Sequence, residues 1–414
     1  MMQKIVFDTT KNMQFLSADG FFGQGIEICA SSAYDAVYSI AIKYGKNKTA
    51  QVVCRENDFQ VVGATVTKAL KDAKANFTTL LVGDVDLDSE KANSSFNFDG
   101  GYVLAVGDAK TLKLAQYYAS KIGIDCHALL TEPCCEEVFL KRVRIPTKSI
   151  SVSKNVKPFK TVIYDFDIIK KASNSAFATA YISIMANLIS LIDYKMRVML
   201  TGEEFDEINY NALKKVVYMA SNLANYKNAK DVLIYSCALI SLIKAKNEQF
   251  TCFSVELFAD ALNLSSNAKG YGDRLMTAFL KLVPLYKMFF TNDFSGLLSV
   301  PNYLADAYEL ENLTKQFGGN FVSNVKVPSP KRLDLILEML RKTQGAFNSE
   351  ISSVFSIANS IKKVYLNILK QTTPFEFLPY GELKQALKLC TYLTDKQSVL
   401  TVFRDLGVLN CVNL

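Results

Sequence analysis

The stretch GYVLAVGDAKTLKLAQYYASKIGIDCHALLTEP (Gly101–Pro133) decides the fold. It opens on an apolar, β-rich run, Gly101–Val106, and turns at Gly107-Asp108. It then continues with helical periodicity over Lys110–Ile122 and closes on a second apolar run, Ile124–Leu130. Strand, helix and strand in that order make a crossover unit of a parallel sheet. Asp108 stands just ahead of the helix, where a carboxylate accepts hydrogen bonds from the unsatisfied N–H groups of the first turn. The sequence therefore predicts that Asp108 caps the helix.

The same rhythm extends to both sides. Upstream lie the run Gln51–Cys54, a helix near Phe59–Ala73 and the run Phe77–Val82. Downstream, the polar segment TKSISVSKNVKP predicts a strand or hairpin at the domain edge, and the run Thr161–Tyr164 follows it. After Asp165 the pattern changes. From Ile168 onward apolar residues recur three and four apart, as in Tyr210–Tyr226, Asp231–Ala245, Val255–Leu264, Arg274–Phe289 and Arg332–Leu340, which is helical periodicity. Asn292–Asn302 and Phe317–Lys331 carry the Gly, Pro, Asn and Ser of loops. The expected architecture is an α/β amino-terminal domain with a parallel sheet over residues 1–165 and an all-α carboxy-terminal domain over residues 166–414, with a ligand cleft between them.

Composition narrows the function classes. The 414 residues, half of them hydrophobic, are enough for two well-buried cores. The net charge of +7 is spread thinly, without the run of Lys and Arg that tracks a phosphate backbone, so no nucleic acid is expected as a partner. Nine cysteines are scattered without a C-x-x-C pair, as in a reduced cytoplasmic protein. Cys134-Cys135 adjoin Glu132, Glu136 and Glu137, whose like charge disfavours a thiolate. The amino-terminal MMQKIVFDTTKNMQF reads as polar too early for a secretory signal. Ser173–Ile192 carries no charge over a bilayer-spanning length, but its Ser, Asn and Thr suit a buried central helix, so no membrane is expected either.

Four segments carry a likeness that covers nearly the whole chain. Gly101–Pro133 is similar to a strand, glycine-rich turn, helix, strand and Pro-Thr loop. FKTVIYDFDIIKKAS (Phe159–Ser173) is similar to a strand ending in an aspartate and leading into a helix. ATAYISIMANLISLIDYKM (Ala178–Met196) is similar to a buried helix, with Asp193-Tyr194 where Asp-Trp is usual. LTDKQSVLTVFRDLGVL (Leu393–Leu409) is similar to a closing segment. In this order they resemble the dehydroquinate-synthase-like superfamily, particularly its glycerol-1-phosphate dehydrogenase and iron-containing alcohol dehydrogenase branch.

The resemblance implies an NAD(P) cofactor, a divalent metal and oxidation of a phosphorylated glycerol or polyol. It also locates the positions that would serve them. The cofactor positions are Gly107, Asp108, Lys110 and Thr131. Only the first of the consecutive glycines is kept, and Asp108 would set a carboxylate beside a diphosphate, costing about 4 kcal/mol at 4 Å and an effective dielectric near 20. Lys110 would offset part of that. The metal positions, an Asp and two His in the family, read Ser183, Asp260 and Tyr271 here. The chain's one histidine, His127, lies in the apolar run Ile124–Leu130 and reads as a satisfied core residue.

No catalytic residue, cofactor or metal is therefore expected, and the chain reads as a degenerate member that keeps a cleft. The alternative is an active NAD(P)- and metal-dependent oxidoreductase, or a lyase like dehydroquinate synthase, with substituted ligands. A small phosphorylated ligand, a second copy of the chain and an active paralogue are the partners in view.

Overall fold

The structure, a computed structural model, describes residues 27–29, 32–45, 48–83, 101–134, 138–146, 151–251, 254–265, 270–292, 311–312, 315, 329–371, 379–393 and 398–407. The amino-terminal segment, Cys135 to Glu137, residues 293–302 and 317–328, and parts of the 393–409 segment lie outside them.

Six strands make one all-parallel sheet: β1 (Glu27–Cys29), β2 (Thr49–Cys54), β3 (Asn76–Leu81), β4 (Tyr102–Gly107), β5 (Asp125–Leu130) and β8 (Thr161–Ile163), in the order β1-β8-β5-β4-β2-β3. The polar segment after β5 forms a separate antiparallel hairpin of β6 (Arg142–Pro146) and β7 (Ser151–Asn155). Helices on both faces cover a parallel sheet, so its inner strands read as unbroken apolar runs. In β4 this is complete, with every residue from Tyr102 to Val106 at most 1 % exposed.

Which face each helix covers fixes where a site can form. Tyr102, Leu104 and Val106 alternate onto one side of β4. There they share a core with Ala33, Val37 and Ile40 of α1 (Ala33–Tyr44) and Val62, Val66 and Leu70 of α2 (Glu56–Asp72). Val103 and Ala105 face the other side, where α3 (Ala109–Ile122) lies against β4 and β5. Crossovers are right-handed, so α2 and α3 diverge to opposite faces between β2 and β4. That boundary is the topological switch point, where the loops at the carboxyl ends of the two strands part and leave a crevice.

Helix α3 is terminated at both ends as its sequence dictates. Asp108 caps its start, and Gly123, at φ +82, closes it by donating its N–H to Ala119 O and Ser120 O. β1 and α1 precede the stretches that the sequence pattern singled out. The buried residues of α1 (Ala33, Ala36, Val37, Ile40 and Ala41) have the spacing of a helix, and Ser32 caps it on Asp35 N.

The described chain divides into two compact units. The first takes the chain through Ala180 and also Leu223–Lys246. It therefore holds the sheet, the short α4 (Phe166–Ile169) and α7 (Ala229–Lys246), where Lys230 Nζ donates to Lys170 O at 2.7 Å and Lys170 pairs with Asp231 at 2.7 Å. The second comprises Tyr181–Asn222 and the chain from Asn247. It is helical throughout, with most of α5 (Asn174–Thr201), then α6 (Glu207–Ser221), α8 (Ser254–Ser265), α9 (Tyr271–Thr291), α10 (Pro330–Leu369), α11 (Tyr380–Cys390) and α12 (Val399–Asp405).

α5 is the one helix among the described residues that is long and apolar enough to cross a membrane. Its most apolar 18-residue window has a mean hydropathy of 1.6, and 78 % of that window is buried inside the protein. α10 is longer than its sequence pattern suggested, since Pro330 and Lys331, read as loop, begin it under a Ser329 cap, and it runs 40 residues through Gly345. Leu333, Ile336, Leu337, Leu340, Phe347, Ile351 and Val354 keep one buried stripe along it, which outweighs the cost of about 1 kcal/mol for one helical glycine.

Asp193, fully buried in α5, ties the second unit together. Its Oδ1 accepts from Tyr286 Oη at 3.0 Å and from Val399 N at 2.9 Å, which joins α5 to α9 and α12.

Candidate functional site

The crevice between β2 and β4 is built from the ends of three strands. Arg55 follows β2, and Asp58 lies in the first turn of α2. Gly107 ends β4, Asp108 follows it, and Thr131 and Glu132 follow β5.

Asp108 holds the centre of this arrangement. Its Oδ1 accepts from both Thr111 N and Thr111 Oγ1 at 2.8 Å, and its Oδ2 pairs with Arg55 Nη1 at 2.9 Å. Beside it Thr131 Oγ1 donates to Asp58 Oδ1 at 2.6 Å. Gly107 has φ +149, and a Cβ there would stand 2.8 Å from Asp58 Oδ2, so only glycine lets α2's carboxylate approach β4 this closely.

Three carboxylates share this crevice with one guanidinium, and the protonation of Asp58 and Glu132 shows the crowding. Burial pushes the Asp58 carboxyl up; the Thr131 hydrogen bond opposes this, Asp108 adds to it and Arg55 eases it. Glu132 is pushed up to about 7, first by burial and then by Asp108 and Asp58, with Arg55 opposing. A carboxyl that holds its proton near neutral pH is able to donate a hydrogen bond to a ligand oxygen or to exchange a proton with it. The nearby Cys54 thiol is driven up to about 12 by burial and the Asp58 charge, so it is no nucleophile.

The residues present do not fit a diphosphate. A dinucleotide phosphate needs the free N–H groups of the helix start after β4 and a positive field. Here the Thr111 N–H is taken by Asp108, and Asp58 and Glu132 add negative charge.

The expected metal positions all fall in the helical unit: Ser183 on α5, Asp260 on α8 and Tyr271 at the start of α9. They do not fit a divalent ion. Among the described residues no group of three His, Cys, Asp or Glu is able to hold one. The charge beside Asp260 and Tyr271 is instead Arg274.

His127 lies in neither place. It is fully buried in β5, with its ring centroid 4.6 Å from that of Tyr44 and 5.6 Å from that of Tyr102. The expectation of a satisfied core histidine is half corrected, because the residue is in the core but neither ring nitrogen has a hydrogen-bond partner. Aromatic rings rather than acceptors flank it, and burial pushes its pKa down to about 3, with Lys43 and Lys160 adding to the effect.

Of the positions expected to face a cofactor, Gly107, Asp108 and Thr131 come together in the crevice, and Lys110 lies in the first turn of α3. Arg55 and Asp58 had not been singled out. Their signal was positional, since they follow β2 as Asp108 follows β4, and the loops after adjacent parallel strands line the same crevice.

No protein-family model matches the chain. It is similar to glycerol-1-phosphate dehydrogenase [NAD(P)+] of Methanospirillum hungatei, 25 % identical over 148 residues, which are 36 % of this chain and 41 % of the relative. The same enzyme of Picrophilus torridus is 24 % identical over 204 residues, 48 % and 55 % of the two chains. That of Thermoplasma acidophilum is 24 % identical over 226 residues, 52 % and 64 %. The chain thus spans between 41 % and 64 % of the length of these relatives.

Among solved structures it is similar to an iron-containing alcohol dehydrogenase with a TM-score of 0.55, at 10 % identity over 92 % of this chain and 97 % of the other. Glycerol dehydrogenase from Schizosaccharomyces pombe gives a TM-score of 0.52 at 13 % identity, covering 86 % and 93 %. The parallel sheet followed by helices is the fold of these proteins. In fold the chain is similar to the iron-containing alcohol dehydrogenases, and in sequence, over part of its length, to the glycerol-1-phosphate dehydrogenases.

Proposed function

We propose that this chain is a degenerate member of its oxidoreductase branch, which binds a small ligand in the crevice at the carboxyl ends of β2 and β4 and does not carry out nicotinamide- and metal-dependent alcohol oxidation. One observation carries the reading: the Asp108 carboxylate sits on the α3 N–H and the Arg55 guanidinium that a phosphate would need. The crevice offers three carboxylates, the Thr131 hydroxyl and one engaged guanidinium. That set suits a neutral, hydroxyl-bearing molecule of polyol type better than a phosphate ester. The buried cysteines Cys54, Cys126, Cys237 and Cys390, none of them in a disulfide, support work in the reducing cytoplasm.

The test uses the purified chain with NADH or NADPH, dihydroxyacetone phosphate and added Zn²⁺ or Ni²⁺. The expected result is no cofactor oxidation and no rise in melting temperature at millimolar nucleotide. Steady turnover in that assay would refute the proposal and favour the activity for which the curated relatives are named.

A further inference from the structure

The helical unit gathers charge where α8, α9 and α10 pack together. Tyr271, Asp273 and Arg274 form the first turn of α9, and Asp260 lies on α8. The Arg274 guanidinium carbon is 5.7 Å from the centre of the Tyr271 ring. Asp273 accepts a hydrogen bond from Tyr365 Oη of α10 at 2.8 Å, and Tyr365 is 2 % exposed. Burial disfavours the charge on Arg274, while Asp260, Tyr271 and Asp273 favour it. Asp260 and Asp273, both partly out of water, thus share the charge of the Arg274 guanidinium.

This is the neighbourhood in which the superfamily resemblance places a metal, and two of the residues around Arg274, Asp260 and Tyr271, are the ones standing at metal positions. We propose that Arg274 is the resident cation of the helical unit, taking the place of a divalent ion beside Asp260 and Asp273 and keeping this region folded without metal. A guanidinium does for the carboxylates what an ion would, but it cannot dissociate. It also has no open coordination position at which to polarise a substrate oxygen. The inference concerns the charge balance of the helical unit and stands apart from the reading of the crevice between β2 and β4.

The test compares full-length wild type with Arg274→Ala, Arg274→Lys and Asp260→Asn, by thermal unfolding and by elemental analysis after dialysis against Zn²⁺ alone. Wild type should carry no stoichiometric zinc, and its melting temperature should respond neither to EDTA nor to Zn²⁺. Arg274→Ala should melt about 4–8 °C lower and recover part of that loss with millimolar Zn²⁺ or added guanidinium, whereas Arg274→Lys should melt closer to wild type. In an Asp260→Asn background the loss from Arg274→Ala should shrink to half or less, because one of the carboxylates it serves is gone. If Arg274→Ala does not fold, Arg274→Lys with and without Asp260→Asn reads the same coupling. Stoichiometric zinc in wild type, a melting temperature lowered by EDTA, or equal losses in the two backgrounds would overturn the proposal.

Discussion

Two groups in the sheet-bearing unit titrate in opposite senses, and removing either should expose the other. His127 is protonated in the unfolded chain below its ordinary 6.5 but stays neutral in the fold down to about 3. Over that window the unfolded state binds the extra proton, so stability falls as pH falls. Glu132 holds its proton in the fold up to about 7, against an ordinary 4.5. Between those values the folded state binds the extra proton, so stability falls as pH rises.

Each slope is at most about 1.4 kcal/mol per pH unit, and over the shared window from 4.5 to 6.5 each contributes up to about 2.7 kcal/mol with opposite sign. Partial exposure of Glu132 lowers its share somewhat. The wild-type profile should thus be nearly flat across this range as far as these two groups set it. His127→Leu should lose stability toward pH 7, and Glu132→Gln should lose it toward pH 4.5. Urea midpoints followed by far-ultraviolet circular dichroism at half-unit steps read both. The differences from wild type also cancel Asp58 and Asp405, which burial shifts in the direction of Glu132. Profiles of His127→Leu and wild type that run parallel from 4.5 to 6.5 would refute the account of the buried imidazole.

Gly107→Ala should cost about 2 kcal/mol, because its backbone strain and the approach to Asp58 Oδ2 at 2.8 Å coincide, and a urea midpoint measures it. Asp108→Ala removes the α3 cap and should cost about 1–2 kcal/mol by the same assay. Asp193→Ala leaves Tyr286 Oη and Val399 N without their buried acceptor and should cost about 2–4 kcal/mol, read as a lower melting temperature.

The sheet was legible because burial on both faces writes itself into a strand as an unbroken apolar run. β4 is such a run, β2 and β5 are interrupted in their buried part only by Gln51 and His127, and the helices between them have a clear buried face. The three-residue β1 gives no periodicity to read, and it takes its place at the sheet edge through its pairing with β8, far along the chain. The full length of α10 was hidden by Gly345 and by the Pro330 that reads as a breaker but serves as a first-turn residue under Ser329. At the crevice, Asp108 was readable as a cap from its place before α3. Its partner Arg55 was not, since the register of β2 against β4 alone brings the two loops together.

The two departures from the family pattern follow one physical rule. A helix start has few free N–H groups, so Asp108, held on Thr111 and Arg55 by the chain itself, removes the donors from which a phosphate would gain its binding energy. Releasing them would first cost the cap and the ion pair. On the proposal made above, Arg274 does the same with opposite sign, giving Asp260 and Asp273 a cation that the chain carries covalently. In each place a charge that a ligand would bring is supplied by a side chain of the same sign. On the two proposals made above, such a substitution keeps the fold's electrostatics satisfied while closing the site, so the fold shared with the dehydrogenases is retained without the cofactor or the metal.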